Sequence, residues 1–127
     1  MNPFTQSLLR RLHNHRLKQF VERWDALEAL VVRVYKRGAA DSSDEAEYGR
    51  IRAWLLRTYP GWQPVLEPYW RKTSVAGEPA AEDPFSSLLA VREAVGFAAN
   101  WRAMQTLPAA REALNEYLVD SLKRENN

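Results

Sequence analysis

The chain has 127 residues, 46% hydrophobic and 27% charged, which fits one globular domain and leaves no room for two independent cores. It contains no Cys, so disulfides and thiolate metal sites are excluded, and no apolar run approaches the roughly 18 residues of a membrane-spanning helix. The net charge of +2 is unevenly placed, with thirteen Lys/Arg against eight Asp/Glu in residues 1–72 and five against eight in residues 73–127. That polarity suits an acidic partner or nucleic acid for the first half, and equally suits attraction between the two halves. Arg10, Arg11, His13, His15 and Arg16 interrupt any apolar signal block at the N-terminus, so a cytoplasmic location is expected.

Asn2-Pro3 is a cap residue followed by proline at the first helical position, and it opens a long helix. Phe20, Trp24, Leu27, Val31 and Val34 recur at steps of four and three on one face, with Leu9, Leu12 and Leu17 extending it backwards. Gly38 supplies the stop, so the helix spans 3–37 and measures ~52 Å at 1.5 Å per residue. His13-Asn14-His15 is its weakest point, where a kink would fall. The apolar face outruns any neighbouring helix, and a second copy of the chain is the simplest cover, so a homodimer through this helix is expected.

Asp41-Ser42-Ser43-Asp44-Glu45 marks a second start, with Ser42 and Glu45 at capping-box spacing. Tyr48, Ile51, Trp54, Leu55 and Tyr59 give helical periodicity until Pro60-Gly61, which is expected to end the helix in a tight turn. Pro64 and Pro68 frame a short helical element over 64–72. Residues 73–83 have no periodicity and read as an exposed, mobile loop. Asp83-Pro84 then repeats the cap-and-proline signal and starts a helix through Leu88, Leu89, Val95, Ala98, Trp101 and Met104. Pro108 breaks that helix and opens a last one, with Ala110, Leu114, Tyr117, Leu118 and Leu122 as its stripe. The expected fold is all-α: one domain over 1–127, an antiparallel bundle of four main helices plus a short helical turn.

Catalytic signatures are missing. His13 and His15 point ~200° apart on a helix and cannot share an ion. The acids at 41–47 lack a calcium-loop pattern, and neither a nucleophile elbow nor a phosphate-cradling glycine loop occurs. No catalytic residue, metal or cofactor is therefore assigned. Glu112, Glu116 and Asp120 form a solvated acidic stripe, and Gly96 with Ala90, Ala94, Ala98 and Ala99 reads as a close-packing patch between helices.

Two features rise above this background. The first helix carries a basic stripe of Arg11, His15, Lys18, Arg33 and Lys36, suited to phosphates or an anionic surface. Segment 48–72 interleaves aromatic and basic residues, and Trp54, Arg57, Trp62, Tyr69, Trp70 and Arg71 are its candidate interaction surface. The leading expectation is a non-enzymatic, dimeric protein–protein interaction module using that surface. One alternative is a nucleic-acid-binding domain that stacks bases on the same aromatics. The other is a small-molecule-binding bundle or enzyme with a pocket between helices, near Gly96 and Trp101.

Overall fold

The computed structural model describes residues 2–125, and they form an all-α bundle with a long N-terminal helix. Helix α1 (Pro3–Arg37) runs without a break through its weakest point, His13-Asn14-His15. Its ends follow the local chemistry: the Asn2 side chain accepts from Thr5 N at 2.7 Å, and Gly38 stops the helix at φ 77°. The buried face is Leu17, Phe20, Trp24, Leu27, Leu30, Val31 and Val34.

Helix α2 (Ser42–Trp70) is eleven residues longer than the periodicity to Tyr59 suggests, because Pro60-Gly61 does not end it. The expected separate element at 64–72 is the last part of this helix. Pro60, Pro64 and Pro68 recur every four residues and all lie on the solvent side. Each removes one backbone donor, but the deprived carbonyls face water, while Trp62, Leu66, Tyr69 and Trp70 bury the opposite side. The burial of four large side chains, at about 1.5–3 kcal/mol each, outweighs the lost hydrogen bonds. The start also differs from expectation: Asp41, not Ser42, is the cap, and it exchanges hydrogen bonds with Asp44 in a capping box.

The 73–83 connection contains a short antiparallel pairing of β1 (Ser74–Val75) with β2 (Glu78–Pro79). Ala76 (φ 53°) and Gly77 (φ 84°) give the positive φ pair of a type I′ turn. Val75 and Thr73 are buried, and Thr73 Oγ1 donates to Trp70 O at 2.7 Å, so this segment is pinned to the end of α2.

The expected helix through 84–104 is three pieces: α3 (Pro84–Leu89), α4 (Ala94–Ala99) and the start of α5 (Trp101–Glu125). Pro108 lies inside α5 on its exposed side, so it neither breaks nor opens a helix. Among the described residues the bundle therefore has three long helices and two short ones, where four main helices and a helical turn were expected. Side chains of α2 hold the joint between the short pair. Arg52 donates to Leu89 O at 2.8 Å and Tyr48 to Val91 O at 2.7 Å, while Glu45 accepts from Ala94 N and Val95 N. Burial pushes the Tyr48 phenol up to about 12.

Both α2 and α5 run opposite to α1. On one side Arg33 meets Asp44 and Phe20 meets Tyr59; on the other, Arg111 meets Asp25 and Glu28 while His13 meets Tyr117. Close helix approach is achieved not at Gly96, which is exposed with open space around it, but along Ala109, Ala110 and Ala113 of α5, all buried. Ala90 and Ala99 of the expected patch are exposed, Ala98 is half-buried, and only Ala94 is in the core.

Candidate interaction surface

Segment 48–72 does not present its aromatics together. Trp62 packs against His13 and Phe20, with ring centroids at 5.4 and 5.7 Å. Tyr69 is buried beside Tyr117 and donates to Asp120 Oδ2 at 2.9 Å; burial, then that carboxylate, holds its phenol above the ordinary range. Trp70 is also in the core, its ring covered by Arg71 at 4.9 Å, and Arg71 is ion-paired with Glu67. Only Trp54, half-buried under Arg23 at 5.0 Å, remains at the surface with Arg57 and Arg71. Alternating burial and exposure is what helical periodicity imposes on such a run: residues that interleave in sequence separate onto opposite faces in space. The base-stacking alternative loses three of its platforms for the same reason.

The basic stripe does lie outward, with Arg11, His15, Lys18, Arg33 and Lys36 all exposed. Arg33 is committed to Asp44 at 3.0 Å and Glu47 at 3.7 Å, so it belongs to the α1–α2 junction. Asp44 is buried there, and the Asp41 backbone N–H with the two guanidinium groups of Arg33 and Arg37 holds its carboxyl below the usual value of 3.8. Arg11, His15, Lys18 and Lys36 have no partner among the described residues. The acidic stripe is partly used: Asp120 by Tyr69, and Glu116 by Lys72 at 3.5 Å. Trp101 is 66% exposed and Gly96 faces solvent, so no enclosed pocket forms between them. Among the described residues no group of three His, Asp or Glu is placed to hold a metal ion, and no helix is long and apolar enough to cross a membrane.

A different surface emerges at the open end of the bundle. Of ten exposed large hydrophobics among the described residues, four fall in the first ten residues of α1, Phe4, Leu8, Leu9 and Leu12, and two lie near the end of α5, Val119 and Leu122. Phe4 is 72% exposed, although it belongs to a long continuous helix. The sequence carries the signal. At 100° per residue Phe4 lies about 160° and Leu8 about 120° from Phe20, so neither extends the core face.

Two grooves flank this stretch of α1. The one against α5, of about 270 Å³, is lined by Leu17, Val21, Leu118 and Leu122, with Lys18 and Glu22 at its edge. The other, against α2 and about 560 Å³, is lined by Leu9, Leu12, Trp54 and Val65, with Arg16 and His13 as polar members. His13 Nε2 is within 2.8 Å of the Tyr117 hydroxyl, which fixes the ring at the edge of the groove against α2. A largest opening, over Ala29, Val32 and Lys36, is a shallow surface beside the Arg111 ion pairs. Comparison with protein-family models, curated proteins and solved structures finds no match to this chain.

Proposed function

We propose that the protein is a non-enzymatic interaction module, cytoplasmic and homodimeric, that self-associates through the N-terminal stretch of α1. The observation that carries this is the run of exposed apolar side chains near the N-terminus of α1, Phe4, Leu8, Leu9 and Leu12, on the helix that further along forms one wall of the α1/α5 groove. An apolar patch rimmed by charge is the usual mark of a contact surface. In this arrangement a two-fold axis relates the copies, each offering Phe4 and Leu8 to the apolar groove residues Val21, Leu118 and Leu122 of the other. The arm carries no acid before Glu22, and Glu22, with no partner among the described residues, supplies a carboxylate at the groove edge.

The test is sedimentation equilibrium over a range of concentrations, on the native chain and on Leu8→Glu and Leu122→Glu. The native chain is expected to be a dimer, and both variants monomers with unchanged far-UV circular dichroism. A native chain that stays monomeric at its highest soluble concentration refutes the reading. Trp62 and Trp70 are unsuited as probes, because truncating either hollows the core.

A further inference from the structure

The groove between α1 and α2 takes in Leu9 and Leu12 from the exposed stretch of α1, while Phe4 and Leu8, on which self-association is proposed, do not line it. It runs along residues 9–19 of α1 and 54–65 of α2, which at 1.5 Å per residue is ~15 Å, about three helical turns. Leu9, Leu12, Trp54 and Val65 supply its apolar strip, beside which Gln19 and Thr58 add uncharged polar groups. Leu9 and Leu12 are exposed at 49% and 44% although they point toward the side on which Leu27 and Val34 are buried. Two walls that are themselves helices present ridges and a valley in which a third helix packs.

The rim has one sign. Arg16 lines the groove and has no partner among the described residues. Arg23 is placed over the Trp54 ring at 5.0 Å and has no carboxylate partner among the described residues, so its guanidinium N–H groups are available to one. Arg57 stands one turn from Trp54, exposed and likewise without a described partner. No Asp or Glu lines the groove. An apolar strip three turns long beneath three cations is complementary to an amphipathic helix with carboxylates beside its apolar stripe. Nucleic acid fits less well, since its bases need open aromatic faces and the exposed face of Trp54 is covered by Arg23.

We infer that the α1/α2 groove binds an acidic amphipathic helix of a partner protein, held by Leu9, Leu12, Trp54 and Val65 and oriented by Arg16, Arg23 and Arg57. This names the partner class and rests on the reading of the chain as an interaction module.

The experiment uses the full chain and a fluorescein-labelled helical peptide of about fifteen residues, ~22 Å long, with Leu at i, i+4, i+7 and i+11 and Glu on the flanks. A twin carries Lys for every Glu. Fluorescence anisotropy measures affinity, and ¹⁵N chemical shifts locate the site. The Glu peptide is expected to bind at least about tenfold tighter than the Lys twin. Its shifts should centre on Leu9, Leu12, Trp54 and Val65. The double reversal Arg16→Glu with Arg57→Glu, both exposed positions, should invert the preference without altering circular dichroism. Leu8→Glu should leave peptide binding intact while dissociating the dimer, so failure of self-association is distinguishable from failure of the groove. Equal binding of the two peptides, shifts centred elsewhere, or no binding up to about 1 mM overturns the inference. Binding of anionic vesicles or a single-stranded oligonucleotide without the Glu peptide overturns it too, and reassigns the cations.

Discussion

Asp83 is one short side chain on which five donors converge, and replacing it with Ala tests whether convergence of that kind holds the connection between α2 and α3. Oδ1 caps α3 by accepting from Phe85 N at 2.9 Å and Ser86 N at 3.3 Å. Oδ2 accepts from Tyr59 OH at 2.6 Å, Ser86 Oγ at 3.1 Å and Gln63 Nε2 at 3.3 Å. Loss of the cap costs about 1 kcal/mol. Ser86 and Gln63 are at or near the surface and turn to water, but Tyr59 is 4% exposed and its hydroxyl has no other acceptor, which costs about 1–3 kcal/mol more. Asp83→Ala should therefore destabilise the fold by about 2–4 kcal/mol, measured by urea denaturation with fluorescence and circular dichroism followed together. In the Tyr59→Phe background, where no orphaned hydroxyl remains, the same substitution should cost only about 1 kcal/mol. Additivity of the two changes, or a loss for Asp83→Ala below about 0.5 kcal/mol, would show that the Tyr59 contact contributes nothing and refute the reasoning.

Three further outcomes are expected. Arg111 donates to Glu28 at 2.6 Å and Asp25 at 2.5 Å from a partly buried position, so Arg111→Ala should lower stability by about 1–2 kcal/mol, with a smaller loss in high salt by thermal denaturation. Ala113 has no exposed surface in the face where α5 is closely packed, so Ala113→Leu should cost about 1–3 kcal/mol by overpacking; a neutral result in denaturant titration would place free space there. Asp44 has a lowered carboxyl pKa, so its contribution is complete above the ordinary value of 3.8 and is lost as pH falls through the depressed folded value. Stability measured from neutral pH downward should show that acid limb in the native chain, and Asp44→Asn should flatten it.

The sequence is most legible where a local rule has no competitor. Asn2 with Pro3, Gly38 and Asp83 with Pro84 end or begin helices as their chemistry requires, and the all-α class follows from periodicity in α1. Proline is misleading because the rule that it breaks helices concerns a buried or donor-requiring position. Pro60, Pro64, Pro68 and Pro108 are all on the water side, so the cost is small and tertiary burial decides. The opposite error occurs at 90–93, where nothing local signals a break. In the surface reading, composition proved a poor guide to exposure. The Trp and Tyr surplus of 48–72 went largely into the core at Trp62, Tyr69 and Trp70, whereas Leu9 and Leu12, assigned by spacing to the core face, lie outside. The angular offset from Phe20 marks Phe4 and Leu8 as outward, but Leu9 and Leu12 point toward the core side and are exposed because the core does not reach that far along α1.

The joint between α3 and α4 consists of Ala90, Val91, Arg92 and Glu93, without glycine or proline. Nothing in these residues prefers an interrupted helix, and Ala, Arg and Glu favour a continuous one. The interruption is imposed from forty residues away, by Arg52 and Tyr48 taking the carbonyls of Leu89 and Val91 and by Glu45 taking the amides of Ala94 and Val95. The shape of this segment is thus conditional on the first half of α2 being in place. A change to Glu45, Tyr48 or Arg52 therefore acts on the bend at 90–93 through space alone, at a joint that those positions never touch in sequence.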